Sequence, residues 1–212
     1  MLYTLKTIAS FLIGYFLGTL SPSALISKIK HMNLRKHGTG NLGAMNVMLS
    51  MGKRYAAVVM LFDIAKAYSA VKLVELIFNS DITLGMIAGT SAVFGHVFPI
   101  YMRFKGGKGL AAFAGLVLGY DPVIFLILLL LTVTLILIVN YTFAMPYSAG
   151  ILFPVLVLVT SGKIVLTLIT AIASALILYK HFENVIKARN GTDKKVREYV
   201  KTKLFKKTNG GE

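Results

Sequence analysis

The sequence predicts an all-α protein, a polytopic membrane bundle of about seven transmembrane helices with the N-terminus outside and the C-terminus inside. Three observations predict it. The 212 residues are 56% hydrophobic and only 15% charged, whereas soluble domains are about a quarter charged. Residues 122–139, PVIFLILLLLTVTLILIV, carry no charge and are long enough to cross a bilayer. The basic residues collect in alternate connectors between apolar runs.

The spans follow in order. Residues 5–29 form the first run. Lys6 near its start, before an apolar stretch, gives the look of a signal peptide, but no small-residue cleavage site follows, so it reads as a retained helix. Residues 56–78 form a second run interrupted by Asp63, Lys66 and Lys72. Residues 84–102, 110–120, 122–139, 144–160 and 164–179 complete seven, the fourth being short.

Numbering each connector by the span it follows, the first holds Lys28, Lys30, Arg35, Lys36, Lys53 and Arg54, and the third holds Arg103, Lys105 and Lys108. With the tail after the seventh span, these connectors contain all of the 23 Lys and Arg residues except Lys6, Lys66, Lys72 and Lys163. Odd connectors therefore face the cytoplasm. Residues 1–183 read as one membrane domain and residues 184–212 as a cytoplasmic basic tail whose start still carries a motif. The net charge of +15 is explained in the tail by topology and anionic head groups, at about 1 kcal/mol per basic residue near the surface. The basic residues are not interleaved with aromatics in a recognition module, so no nucleic acid is expected.

Cysteine is absent, which excludes disulfides and thiolate chemistry. Histidines at 31, 37, 96 and 181 show no paired-ligand spacing, and neither a metal nor a cofactor is expected.

Three polar segments interrupt the apolar pattern on the cytoplasmic side. The first is GTGNLGAMN, with Gly38, Thr39, Gly40, Asn41 and Asn46. It offers backbone freedom, a hydroxyl and two amides, although a structured re-entrant turn would have the same composition. The second is RFKGGKG, in which Gly106, Gly107 and Gly109 let backbone amides approach an anion and Lys108 supplies charge. Gly109 occupies the place where a Walker loop needs serine or threonine, which rejects nucleotide hydrolysis. The competing reading is an ordinary charged inter-helix turn. The third, KHFENVIKARNGTD, places His181 and Asn184 three apart on one helical face at the end of the last span. A near-neutral histidine there suits phosphate binding or proton transfer, against a merely polar interfacial helix. Asp63 and Lys66 are also three apart and read as a structural ion pair, and His96 in GHVFP reads as a packing hydrogen-bonder.

As a set, these segments resemble the bacterial acyl-phosphate-dependent glycerol-3-phosphate acyltransferases. That family carries GSGNxGATN, then GHxxP with FxGGKG, then HxxN with a following G-[TR]-[ED]; this chain has GTGNLGAMN, GHVFP, FKGGKG, HFEN and GTD in the same order across residues 8–193. The resemblance implies transfer of a fatty acyl group from acyl phosphate to the 1-hydroxyl of glycerol 3-phosphate, giving lysophosphatidic acid and phosphate within membrane lipid. It implies that Lys108 and the glycine amides hold phosphate and that Thr39, Asn41 and Asn46 orient substrate. His181 and Asn184 would complete the site, with His181 or the substrate's own phosphate taking the hydroxyl proton. None of the four histidines has an aspartate five positions on, so the HxxxxD dyad of coenzyme-A acyltransferases is missing.

This chain departs from the family pattern at Met45 for threonine, Leu49 for arginine, Ala112 for threonine, and Asn140, Tyr141, Thr142 and Phe143 for an arginine-tyrosine-valine-serine run. Thr39 for serine keeps a hydroxyl. Two rival readings follow: a weakened paralogue that binds lipid or phosphate, and a small transporter suggested by the charges of the second span. The sequence leaves the oligomeric state open.

Overall fold

The computed structural model describes residues 1–192 and 195–197. Among them are nine α-helices: α1 (Leu2–Thr19), α2 (Pro22–Ile29), α3 (Ala44–Met51), α4 (Lys53–Ile77), α5 (Ile82–Val97), α6 (Leu110–Tyr120), α7 (Pro122–Val139), α8 (Ala144–Ser161) and α9 (Ile164–Arg189). Short 3-10 turns lie at Leu34–Lys36 and Ile100–Met102.

Five stretches are long and apolar enough to cross a membrane: Leu2–Ile29, Ile82–Met102, Pro122–Val139, Ala144–Ser161 and Ile164–Arg189. The first is broken where Leu20 turns extended; Ser21 then caps α2 by accepting from Ala24 N, and Pro22 sits at its first position. The expected 84–102 run likewise ends its α-helix at Val97, because Pro99 cannot continue it. α4 has the length of a span but carries Asp63, Lys66 and Lys72, and α6 has only 11 residues. The expected domain boundary at 183/184 falls inside α9.

The connectors at the end away from the motif loops are tight and capped. Asp81 accepts from Thr83 N and Leu84 N to start α5, and Asp121 accepts from Val123 N and Ile124 N to start α7. Each carboxylate satisfies amides that helix geometry leaves unpaired.

The core gathers around α5, which packs on α1, α4, α6 and α9. Without a water-driven force between helices, close approach depends on small residues. Gly14 and Gly18 of α1 supply it, since a Cβ on either would lie 2.0–2.1 Å from the Ala88 or Ala92 carbonyl oxygen of α5. α7 instead presents a largely exposed apolar surface, with Ile124, Leu128 and Thr132 as its buried residues. This bundle brings the C-terminal ends of α1 and α5, the N-terminal end of α6 and the last turns of α9 together.

Candidate functional site

The first polar segment is folded around one side chain. Asn46, on the first turn of α3, is 1% exposed. Its Nδ2 donates to Leu34 O at 2.9 Å, and its Oδ1 accepts from Thr39 N at 2.7 Å. Gly38 (φ +58°) and Gly40 (φ +70°) adopt left-handed backbone, and a Cβ on Gly38 would collide with Asn46 Oδ1 at 2.2 Å. Asn41 closes the turn by accepting from Leu42 N. Thr39 itself stays exposed, its hydroxyl available at the loop surface.

The second segment returns across the end of α5. Gly106 N donates to Val97 O at 3.0 Å and Gly107 N to His96 O at 3.2 Å. A Cβ on Gly106 would lie 2.0 Å from the His96 carbonyl oxygen, so only glycine fits this path. Gly109 (φ +88°) then opens α6 and rests against Ile177 of α9 and Val97.

The third segment is the last third of α9. His181 is buried, with Nδ1 2.9 Å from Ile177 O. A carbonyl can only accept, so Nδ1 carries the proton and Nε2 of the neutral ring is the basic nitrogen. One turn on, Asn184 Oδ1 accepts a hydrogen bond from Lys108 Nζ.

The structure thus joins the second and third segments directly through Lys108 and Asn184. It joins the first and second through Arg35, whose guanidinium donates to the Lys105 carbonyl oxygen. Thr39 and Asn46 belong to one folded turn, reached from the other loops through that arginine. Arg35 also borders a cleft of about 380 Å³ lined by Lys28, His31, Leu34, Leu42 and Met102. A larger groove, about 650 Å³ and lined by Tyr3, Thr83 and Lys163, lies at the opposite end of α5. Among the described residues no group of acidic or histidine side chains could hold a metal.

Two arrangements escape sequence reading. Asp63, Lys66 and His96 form one buried cluster: Lys66 Nζ lies 2.7 Å from Asp63 Oδ1, and His96 Nδ1 lies 2.9 Å from Lys66 Nζ. The spacing of FDIAK announced the ion pair, but nothing local announced the histidine 30 residues on. The second is Asn140, where the family pattern has arginine. Its carbonyl accepts from Val196 N and its Oδ1 from Arg197 N, while the Arg197 guanidinium reaches Leu137 O. The third motif's Asp193 lies outside the described residues.

The profile of the family described as glycerol-3-phosphate acyltransferase matches residues 8–191. This chain belongs to the glycerol-3-phosphate acyltransferase family. A glycerol-3-phosphate acyltransferase from Macrococcus caseolyticus is 35% identical over 189 residues, covering 87% of this chain and 94% of its own. One from Thermosipho melanesiensis is also 35% identical, over 90% of this chain and 93% of its own. Among solved structures, the crystal structure of PlsY (YgiH), an integral membrane glycerol 3-phosphate acyltransferase in its glycerol 3-phosphate form, superposes with a TM-score of 0.83 at 28% identity, over 89% of this chain and 94% of that one. Its lysophosphatidic acid form gives 0.81 at 27% identity. Three polar segments thus lie at one end of a helical membrane bundle of the acyltransferase family, and this member is an enzyme of acyl transfer.

Proposed function

We propose that the chain transfers a fatty acyl group from acyl phosphate to the 1-hydroxyl of glycerol 3-phosphate, releasing lysophosphatidic acid and phosphate. The observation that carries this reading is the union of Lys108 and Asn184 in the glycine loop of a member of the acyltransferase family. In the reaction the glycerol oxygen attacks the acyl carbonyl carbon, the bond from that carbon to the phosphate oxygen breaks, and phosphate departs with the electron pair. The acyl phosphate is already activated, so no covalent enzyme nucleophile is needed. Catalysis consists of positioning and of stabilising developing negative charge.

The geometry supports these roles. Lys108 holds phosphate and Asn184 orients the ammonium; Gly106 and Gly107, expected to offer amides to phosphate, spend them on Val97 O and His96 O and instead shape the loop that carries the lysine, which Gly109 turns into α6. Gly38 and Gly40 shape the turn that presents Thr39 and Asn41 to substrate, and Asn46 holds that turn together. His181 Nε2 is the protein atom suited to take the hydroxyl proton, and the substrate's phosphate is the other acceptor.

The finer topology is part of the same reading. Seven spans are counted by adding α4 and α6 to the five long apolar stretches, with the N-terminus outside, the C-terminus inside and the site facing the cytoplasm of the cell (inner) membrane. The charge bias of the connectors supports it, and the chain beyond residue 183 acts as a cytoplasmic basic extension.

The deciding experiment incubates purified protein with palmitoyl phosphate and labelled glycerol 3-phosphate. Formation of labelled lysophosphatidic acid is expected. Glycerol 3-phosphate binding with no product would favour a weakened paralogue, a reading motivated by Met45, Leu49 and Ala112. Movement of label across a vesicle membrane would favour transport.

A further inference from the structure

Directly beneath the second loop lies the buried cluster of Asp63, Lys66 and His96, to which acyl transfer as described gives no task. Asp63 is 2% exposed and Lys66 5%. Charges inside an apolar bundle are costly and tend to mark function, and this pair is tied to two further elements.

The Lys66 ammonium has three polar atoms around it: Asp63 Oδ1 at 2.7 Å, the Leu20 carbonyl oxygen at 2.6 Å, and His96 Nδ1 at 2.9 Å. His96 Nδ1 also lies 3.3 Å from Asp63 Oδ1, so this edge of the ring faces both members of the ion pair. The opposite ring nitrogen is Nε2. That nitrogen faces the loop, for a Cβ placed on Gly107 would lie 2.3 Å from it. The His96 carbonyl also accepts from Gly107 N. One residue therefore grips Gly107 from its backbone and covers it with its ring, immediately before Lys108. Leu20 ends α1, so Lys66 connects the break between α1 and α2, the middle of α4 and the end of α5.

We propose that His96 is a positioning residue for the phosphate-binding loop, its ring held by the Asp63–Lys66 pair so that its Nε2 edge braces Gly107 and sets where Lys108 meets phosphate. This deepens the phosphate-binding role given to that loop above and rests on it. Gly107 is required because the braced ring occupies the space of a side chain. His96 acts through the loop and does not itself touch the reacting carbon.

The test uses the full chain in detergent and compares His96→Asn with His96→Gln. An asparagine amide reaches the place of ring Nδ1 and keeps a partner for Lys66, but leaves Gly107 unbraced. A glutamine amide reaches the place of Nε2. His96→Asn is expected to raise both KM and the calorimetric Kd for glycerol 3-phosphate about tenfold, with little change in kcat or Tm, because misplacing a binding group by a fraction of an ångström weakens it. His96→Gln is expected to recover most of that loss. Asp63→Asn combined with Lys66→Met removes both charges without leaving an orphan ion, frees the ring, and is expected to weaken binding similarly. Unchanged binding in folded His96→Asn, or in the folded double variant, overturns the proposal. So do equal losses in the Asn and Gln variants that track a lower Tm. Calorimetry needs no acyl donor, so a wild-type protein that binds glycerol 3-phosphate without turning over palmitoyl phosphate would overturn the proposed reaction while leaving this inference standing.

Discussion

Lys108 of the second loop donates a hydrogen bond to Oδ1 of Asn184 on α9, 76 residues away in the chain. An amide oxygen orients the ammonium without adding a negative charge, which suits a cation that must meet phosphate. Lys108→Ala is expected to lower kcat/KM for acyl transfer more than tenfold with Tm preserved, since a hydrogen bond to a charged group contributes about 1.5–3 kcal/mol. Asn184→Ala should act in the same direction, and the double variant should lose less than the two single losses combined, because both changes disable one contact. Assay with palmitoyl phosphate, alongside thermal unfolding, checks both. Full additivity would separate the two residues functionally.

Asn46 is a stability residue first. Its amide satisfies the Leu34 carbonyl and the Thr39 amide from a buried position. Asn46→Asp keeps the acceptor but leaves the Leu34 oxygen without its donor. A loss of about 1–3 kcal/mol is expected for that unsatisfied group, read as a lower Tm in detergent. Thr39→Ser should leave Tm unaltered, because Thr39 meets Asn46 through its backbone N–H.

Leu49 lies on α3 three residues after Asn46, half-buried, where the family pattern has arginine. Leu49→Arg is expected to lower the KM for glycerol 3-phosphate, since a guanidinium can hold phosphate bidentately. Arg35, whose guanidinium donates to the Lys105 carbonyl oxygen, already bridges the first and second loops. A variant losing both turnover and Tm would show that Leu49 packs in a site rebuilt around another residue.

Orientation has a direct test. A reporter fused after Glu212 is expected to be active only on the cytoplasmic side, and one at Met1 only outside. The reverse pattern would put the three polar segments on the wrong face for a cytoplasmic substrate.

Much of the fold was legible because apolar length is a local property. The charge-free run 122–139 coincides with α7, and the 164–179 run with the membrane part of α9. The motif order singled out the three polar segments that the structure links through Lys108, Asn184 and Arg35. What stayed hidden were the contacts between them. Nothing in GHVFP says that its histidine meets a lysine of FDIAK, and nothing near Asn140 says that Arg197 reaches it.

By itself the sequence determined a helical membrane protein, its family and its three polar segments, because hydrophobic run length, charge placement and glycine-rich motifs are written within a few neighbours. Only the tertiary structure decided which of those residues meet. Gly14 and Gly18 let α1 press on α5, the bundle brings Leu20, Lys66 and His96 within hydrogen-bond reach, and α9 places Asn184 over Lys108. Such pairings depend on helix packing distances and on the need to satisfy every polar group away from water. No window of sequence contains both partners.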